Sequence, residues 1–466
     1  MAIAVRLEPS SLDPRNGGAA SISQIGLYNV FETLTRVDGN GNVLPLLATG
    51  WTVSDGGRRY RFELIQGATF HDGSAFTVQS VIASFEHNKA KESQNRLWSV
   101  FANIDGIAAD GDNAVAFTLK RPDGLFPFHL SRASAAILAP PRDGAGGAMP
   151  AGTGPYRYAA WEKGDHIALT RFGAYRDAEA AAIPNVTFRF IGDAAEQAAG
   201  LLEGEIDYLP NLLAPELFGQ FADNPDFVAL EGTTEGETIL AMNHGHPALA
   251  DVRVRRAITH AIDRQAVIGK AMHGHAVSIG SHFAPHHPAY LDLSGTLAFD
   301  PARARALLAD AGHGDGLAFT LKLPPRRYAR RSAEAIAGML GAVGIVVKTE
   351  QLSVAEWIHE VLKQKRYDLT IAAHVEPMDI RIYAKPDSYF QYDSADFRDI
   401  VARFDLAADV AAQHRLLETA QRKLADDAVN VYLFAMPKLG VAHRRLKGMW
   451  QNWPNFVNDA AALRWE

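Results

Sequence analysis

Not one of the 466 residues is cysteine, which excludes a disulfide framework, a thiolate nucleophile and any zinc site built on cysteine. A basic excess is missing as well. Lys and Arg number 46 against 53 Asp and Glu, a net charge of -7, so the electrostatic footprint of a nucleic-acid or acidic-membrane partner is absent. No apolar run approaches the length needed to span a bilayer. The chain has no HExxH and no GxSxG, and its plentiful carboxylates form no pair that spacing singles out as acid and base. These absences leave an enzyme reading without residue-level support. What is present is a soluble globular balance, 47% hydrophobic and 21% charged, at a length that calls for two or three domains.

Strand-like and helical patterns alternate along the chain, as in an α/β protein. Tyr60, Phe62 and Leu64 alternate with Arg59, Arg61 and Glu63, a period of two that predicts a half-buried strand. Asp55-Gly56-Gly57 before it is turn chemistry. His71-Asp72-Gly73 reads as a second turn held by hydrogen bonds rather than as a catalytic pair. Thr77 then stands as the N-cap of a helix with Val78, Val81, Ile82 and Phe85 at helical spacing. Asp38 to Asn42, DGNGN, imitates a calcium loop, but Thr49 occupies the twelfth position; a hairpin turn is expected. Residues 143–155 are too rich in Gly, Ala and Pro to pack and predict a surface loop at a boundary. The Gly152-Thr153-Gly154 run is no phosphate loop, because Pro155 lacks an amide donor and no Lys-Ser/Thr pair follows. Asp251 to Ile268 places Val254, Ala257, Ile258, Ala261 and Ile262 on one stripe, predicting an amphipathic helix with a basic outer face. The 17 histidines show no spacing that predicts a built-in metal site; His244 and His246, beside Gly245, suit a surface or hinge position.

The block from Leu27 to Asn88 carries Glu32, Leu34, Pro45, Leu47, Ala48, Trp51, Tyr60, Phe62, Leu64, Gly67, Phe70, His71, Asp72, Gly73 and Val81 in order. It resembles the signature of the extracellular solute-binding proteins that serve peptide and nickel ABC importers. Further segments fall in step with that family: Glu8, Pro9 and Ser11 to Pro14; Gly152 to Tyr156 with Gly164, Leu169, Arg171 and Tyr175; Asn243, Pro247, Asp251, Arg255 and Asp263; and Phe299 to Pro301 with Leu307, Leu308 and Gly312. The resemblance implies an α/β, two-lobed periplasmic-binding-protein-like fold of type II with an accessory subdomain in lobe I. Residues 1–40, 151–236 and 438–466 are then expected in lobe I, 41–150 in the accessory subdomain and 237–437 in lobe II, with ligand in the cleft between lobes. It also implies a periplasmic monomer, its signal peptide removed, that delivers a small ligand to a membrane permease without catalysis, cofactor or resident metal.

For the ligand, the resemblance points to the strand Tyr367 to His374 and the loop after it, residues 375–389. Peptide-binding relatives place an aromatic and an aspartate there; here the carboxylate position falls near Glu376, Pro377 or Asp379 and the aromatic position at His374 or its neighbour. A carboxylate in the cleft would hold a peptide ammonium group, whereas Arg381 would clamp a ligand carboxylate. Arg96, Trp98 and Arg132 resemble, out of step by one or two positions, the cleft residues of nickel-type members, and would suit a metal chelate. Tyr383 and Tyr389 are placed to stack on a ligand, and Trp453 to close the cleft floor, with packing as the alternative for each. Two ligand classes stay open: short peptides or amino-acid derivatives, which are favoured, and nickel or metal-chelate complexes. A ligand-sensing regulator on the same fold lacks a DNA-binding segment.

Overall fold

The computed structural model describes residues 1–15, 20–140, 149–376, 378–407 and 409–466. Part of the glycine-rich stretch expected as a loop, and Pro377, therefore lie outside the described residues. The chain divides into two compact units, one of Met1–Gly232, Asp405–Asp409 and Lys438–Glu466, the other of Thr233–Phe404 and Val410–Pro437. The first unit also takes in the short segment Asp405–Asp409. No helix among the described residues is long and apolar enough to cross a membrane.

In the first unit, strand Ala2–Val5 runs parallel to Asn185–Phe190 and to Tyr208–Leu209, and antiparallel strands His166–Arg171 and Tyr156–Glu162 extend that sheet. A separate antiparallel sheet has the order Ala48–Ser54, Arg59–Leu64, Ala114–Leu119, Ile104–Ala109. Its central strand buries Tyr60, Phe62 and Leu64 as their alternation requires. Phe62, Phe85 and Phe126 meet Phe117 edge-on, with ring centres 5.1–5.8 Å apart, the geometry aromatic quadrupoles favour. Helix Val78–Lys89 starts at Thr77, whose hydroxyl accepts from the Ser80 amide while the Ser80 hydroxyl accepts from the Thr77 amide, a reciprocal cap. Asp38 to Asn42 is a hairpin between strands Thr35–Val37 and Val43–Pro45, with Asp38 Oδ1 accepting from the Asn40 and Asn42 amides.

Residues far apart in sequence converge around Glu32, which is 1% exposed. Its carboxylate accepts two hydrogen bonds of 2.7 Å from the Arg176 guanidinium, one of 3.0 Å from the Tyr175 hydroxyl and one of 2.9 Å from Thr153 Oγ1. The Gly152-Thr153-Gly154 run is zipped into place beside it. Gly154 N donates to Val30 O and Tyr156 N to Asn29 O, while His71 takes Gly152 N on Nδ1 and donates from Nε2 to Gly154 O. That pattern requires neutral imidazole, and burial pushes the His71 pKa down to about 4. Asp72 caps its own turn through Ser74. The glycine run serves close approach of backbone, and His71 joins two segments rather than the turn alone.

The second unit is built on the parallel strands Ile345–Gln351, Leu317–Leu323 and Leu369–His374, the last antiparallel to Glu237–Met242 of strand Phe227–Met242. Helices Val252–His260, Arg264–Met272, Pro301–Asp310 and Arg327–Gly341 bring Val254, Ile258, Val267, Leu308 and Ile336 into one core with Leu321 and Ile371. The single helix expected over 251–268 is two, because Asp263 leaves the helix and caps the next through the Gln265 and Ala266 amides. Its basic face is not all outward either. Arg255 and Arg264 are buried and bind backbone carbonyls, Arg255 those of Leu249, Ala250, Asp427 and Ala428, so helix-end acceptors are satisfied by charge.

Buried Lys438, in the first unit, donates to Trp450 O, and burial lowers its pKa to about 7. An unfolded lysine keeps its proton to near 10.5. Between these values the unfolded chain holds a proton the native chain has shed, so this group makes stability rise with pH from about 7 to 10. Urea melts at pH 7.0 and 9.5 should show a gain in the wild type that shrinks by a few kcal/mol in Lys438→Met. An equal gain in both would show that Lys438 is charged in the native state.

Candidate functional site

Strand Phe227–Met242 carries Thr233, Glu235 and Glu237 on alternate positions, hence on one face. All three are buried. Two acids inside a buried strand need partners, and the segment after strand Val277–Ser278 supplies them at matching intervals. His286 takes Thr233 Oγ1 at 2.7 Å and donates to Glu235 Oε1 at 2.8 Å. His282 Nε2 stands 3.9 Å from Glu237 Oε2. The Thr233-His286-Glu235 row has the connectivity of a nucleophile relay, but its threonine is buried, 4% exposed.

His374 lies directly across from Glu237 in the antiparallel register. Its Nδ1 donates to Asp379 Oδ2 and its Nε2 accepts from the Tyr389 hydroxyl, both at 2.8 Å. Asp379 opens the 3-10 helix Asp379–Ala384, and its other oxygen lies 2.8 Å from His282 Nε2. Burial alone would raise the Asp379 carboxyl, yet the adjoining imidazoles of His374 and His282 hold it below the usual range. Glu237 goes the other way. Burial first, then the negative charges of Asp379 and Glu235, push its carboxyl well above the usual range, so the two acids are split as neighbouring carboxyls must be.

Of the residues expected to contact ligand, the structure thus brings His374, Asp379 and Tyr389 into one hydrogen-bonded chain. Tyr383 stacks on Phe390 with ring centres 4.8 Å apart and accepts from Asn430 Nδ2, fully buried beneath the same loop. Glu376 and Arg381 are half-buried, with the Arg381 guanidinium 5.7 Å from the centre of the Phe404 ring. Arg96, Trp98, Arg132 and Trp453 belong to the first unit. Arg96 and Trp98 are exposed, and the Trp98 indole donates to Ala90 O. Arg132 precedes the 3-10 turn Ala133–Ala135. Trp453 is 8% exposed, donates to Val457 O and meets Phe456 edge-on.

Glu235, Glu237 and His282 escaped the sequence reading, and His286, followed by His287 and Pro288, reads there only as part of a loop. The signal available was two acids at alternate positions of the otherwise uncharged stretch 232–242.

Residues 42–392 match the family described as bacterial extracellular solute-binding proteins, family 5 middle. The glutathione-binding protein GsiB of Salmonella typhi is 28% identical over 324 residues, 68% of this chain and 62% of that protein; the chain therefore matches under two thirds of that relative's length. Among solved structures, HbpA2 from Haemophilus parasuis superposes with a TM-score of 0.90 at 19% identity, covering 100% of this chain and 99% of that one. NikA from Brucella suis in complex with Fe(III)-EDTA gives 0.83 at 23% identity, covering 100% of both. At such identities the structural likeness speaks for the fold.

Proposed function

Because the chain belongs to the bacterial extracellular solute-binding proteins of family 5, we propose that it is the periplasmic capture component of an ABC importer, binding a short peptide or amino-acid derivative and passing it to a membrane permease. The observation that carries this reading is the family match through residues 42–392, and the similarity to a glutathione-binding protein favours the peptide-like class. A capture protein needs complementarity to a ground-state ligand and no reacting group. With both Asp379 oxygens turned to histidines, we assign ligand recognition in the loop 375–389 to Glu376 for an ammonium group and Arg381 for a carboxylate. Arg381 also favours the second reading, a metal held by a polycarboxylate, which resembles the cargo in the NikA structure.

Titration calorimetry with glutathione, di- and tripeptides and nickel-polycarboxylate chelates separates the two. Saturable one-to-one binding of a peptide-like compound is expected, weakened at least tenfold in Arg381→Ala with an unchanged melting profile. Binding of chelates alone would replace the first reading by the second, and unchanged affinity in Arg381→Ala would remove that residue from the site.

A further inference from the structure

We propose that Glu237, His282 and Asp379 form a binding site for one divalent transition-metal ion within the second unit. This goes beyond the capture of a solute and does not depend on it. One donor atom from each residue lies within 4.8 Å of the others, and bonds of about 2.1 Å at tetrahedral angles would draw them in to roughly 3.4 Å around one ion.

The second oxygen of each carboxylate is already fixed elsewhere. Glu237 Oε1 accepts from the Phe283 amide at 3.1 Å and Asp379 Oδ2 from His374 Nδ1 at 2.8 Å. The oxygens left over, Glu237 Oε2 and Asp379 Oδ1, are the ones that face His282, and neither has a hydrogen-bond partner among the described residues. His282 is 1% exposed, and its Nε2, though 2.8 Å from Asp379 Oδ1, has no hydrogen-bond geometry to it. Buried polar atoms left in this way are costly, and a single cation would satisfy three of them together. His374 and the Phe283 amide then hold the ligands from behind, as outer partners of metal carboxylates do. The Asp379 side chain keeps 24% exposure, which gives an ion a way in.

One imidazole with two carboxylates suits zinc and its first-row neighbours; calcium and magnesium prefer oxygen alone. The ligands come from a strand, a loop and the start of a 3-10 helix, so no local spacing announces them.

The test uses the full chain stripped with EDTA and titrated with Zn²⁺ alone, read by calorimetry and by metal analysis after gel filtration. One equivalent of Zn²⁺ should be retained, the melting temperature should rise, and millimolar Mg²⁺ should not compete. His282→Gln and Glu237→Gln should abolish retention, His374→Ala should weaken it about 10–100-fold, and the exposed His87→Gln should leave it unchanged. Should the site variants fail to fold, X-ray absorption of the zinc-loaded wild type decides the matter: one nitrogen and two or more oxygen ligands are expected. No stoichiometric retention, retention that survives His282→Gln in folded protein, displacement by Mg²⁺, or a shell of several histidines would overturn the proposal.

Discussion

Replacing Glu32 by alanine should cost about 3–5 kcal/mol of stability, the penalty for removing one partner of a buried ion pair. The carboxylate accepts four hydrogen bonds, two of them from Arg176. Its loss would strand a guanidinium that is only 24% exposed, together with the Tyr175 and Thr153 hydroxyls. Glutamine keeps the shape and part of the bonding and should fall between wild type and alanine. Urea unfolding followed by near-ultraviolet circular dichroism measures the difference; a loss below about 1 kcal/mol would place Glu32 among ordinary surface ion pairs. The Glu32→Met, Arg176→Met double variant should recover part of the loss, since a buried pair replaced together by apolar groups leaves no stranded charge.

Gly152→Ala should be at least as damaging. A Cβ at that position would sit 2.0 Å from Val30 O and 2.9 Å from the Phe31 ring, and the first of these is backbone that cannot rotate away. Relieving the overlap means separating the 152–156 segment from Asn29 and Val30, which breaks the Gly154-to-Val30 and Tyr156-to-Asn29 hydrogen bonds and pulls Thr153 from Glu32. Overpacking of this kind costs roughly 1–3 kcal/mol before hydrogen bonds are counted, and each lost bond adds about 1 kcal/mol. Expression as insoluble protein, or a drop of about 3 kcal/mol or more in soluble protein, is the expected result. Gly173→Ala, where a Cβ would meet nothing within 4 Å, should be nearly neutral. Equal stabilities for the two variants would mean that the segments do not approach so closely.

What could be read in the sequence was local or carried by family pattern. The strand Arg59–Leu64, the Thr77 cap and the Asp38 hairpin each rest on a few adjacent residues whose periodicity or turn chemistry is self-contained. The helix expected over 251–268 failed because a continuous apolar stripe conceals a break: Ala261 and Ile262 are buried outside any helix, and Asp263 caps the helix Arg264–Met272. The role of Glu32 could not be read at all, since its partners Thr153, Tyr175 and Arg176 are more than a hundred residues away.

The site divides along the same line. His374, Asp379 and Tyr389 could be named because they lie close together along the chain, at the end of a strand and in the segment after it, which family pattern marks. Glu237 and His282 could not, because each looks ordinary beside its chain neighbours and gains meaning only where the strand, the loop and the 3-10 helix meet. The family signature residues in turn are scaffold: Glu32, His71, Gly152 and Gly154 hold segments of the first unit together.

Native mass spectrometry of the protein isolated from its own host tests solute capture most directly. A population carrying one noncovalent small molecule is expected, released on unfolding, with a mass and fragmentation of a short peptide or amino-acid derivative, and removal of that molecule should lower the melting temperature. Spectra showing only the unliganded chain, from a protein whose melting temperature no peptide or metal chelate shifts, would contradict it.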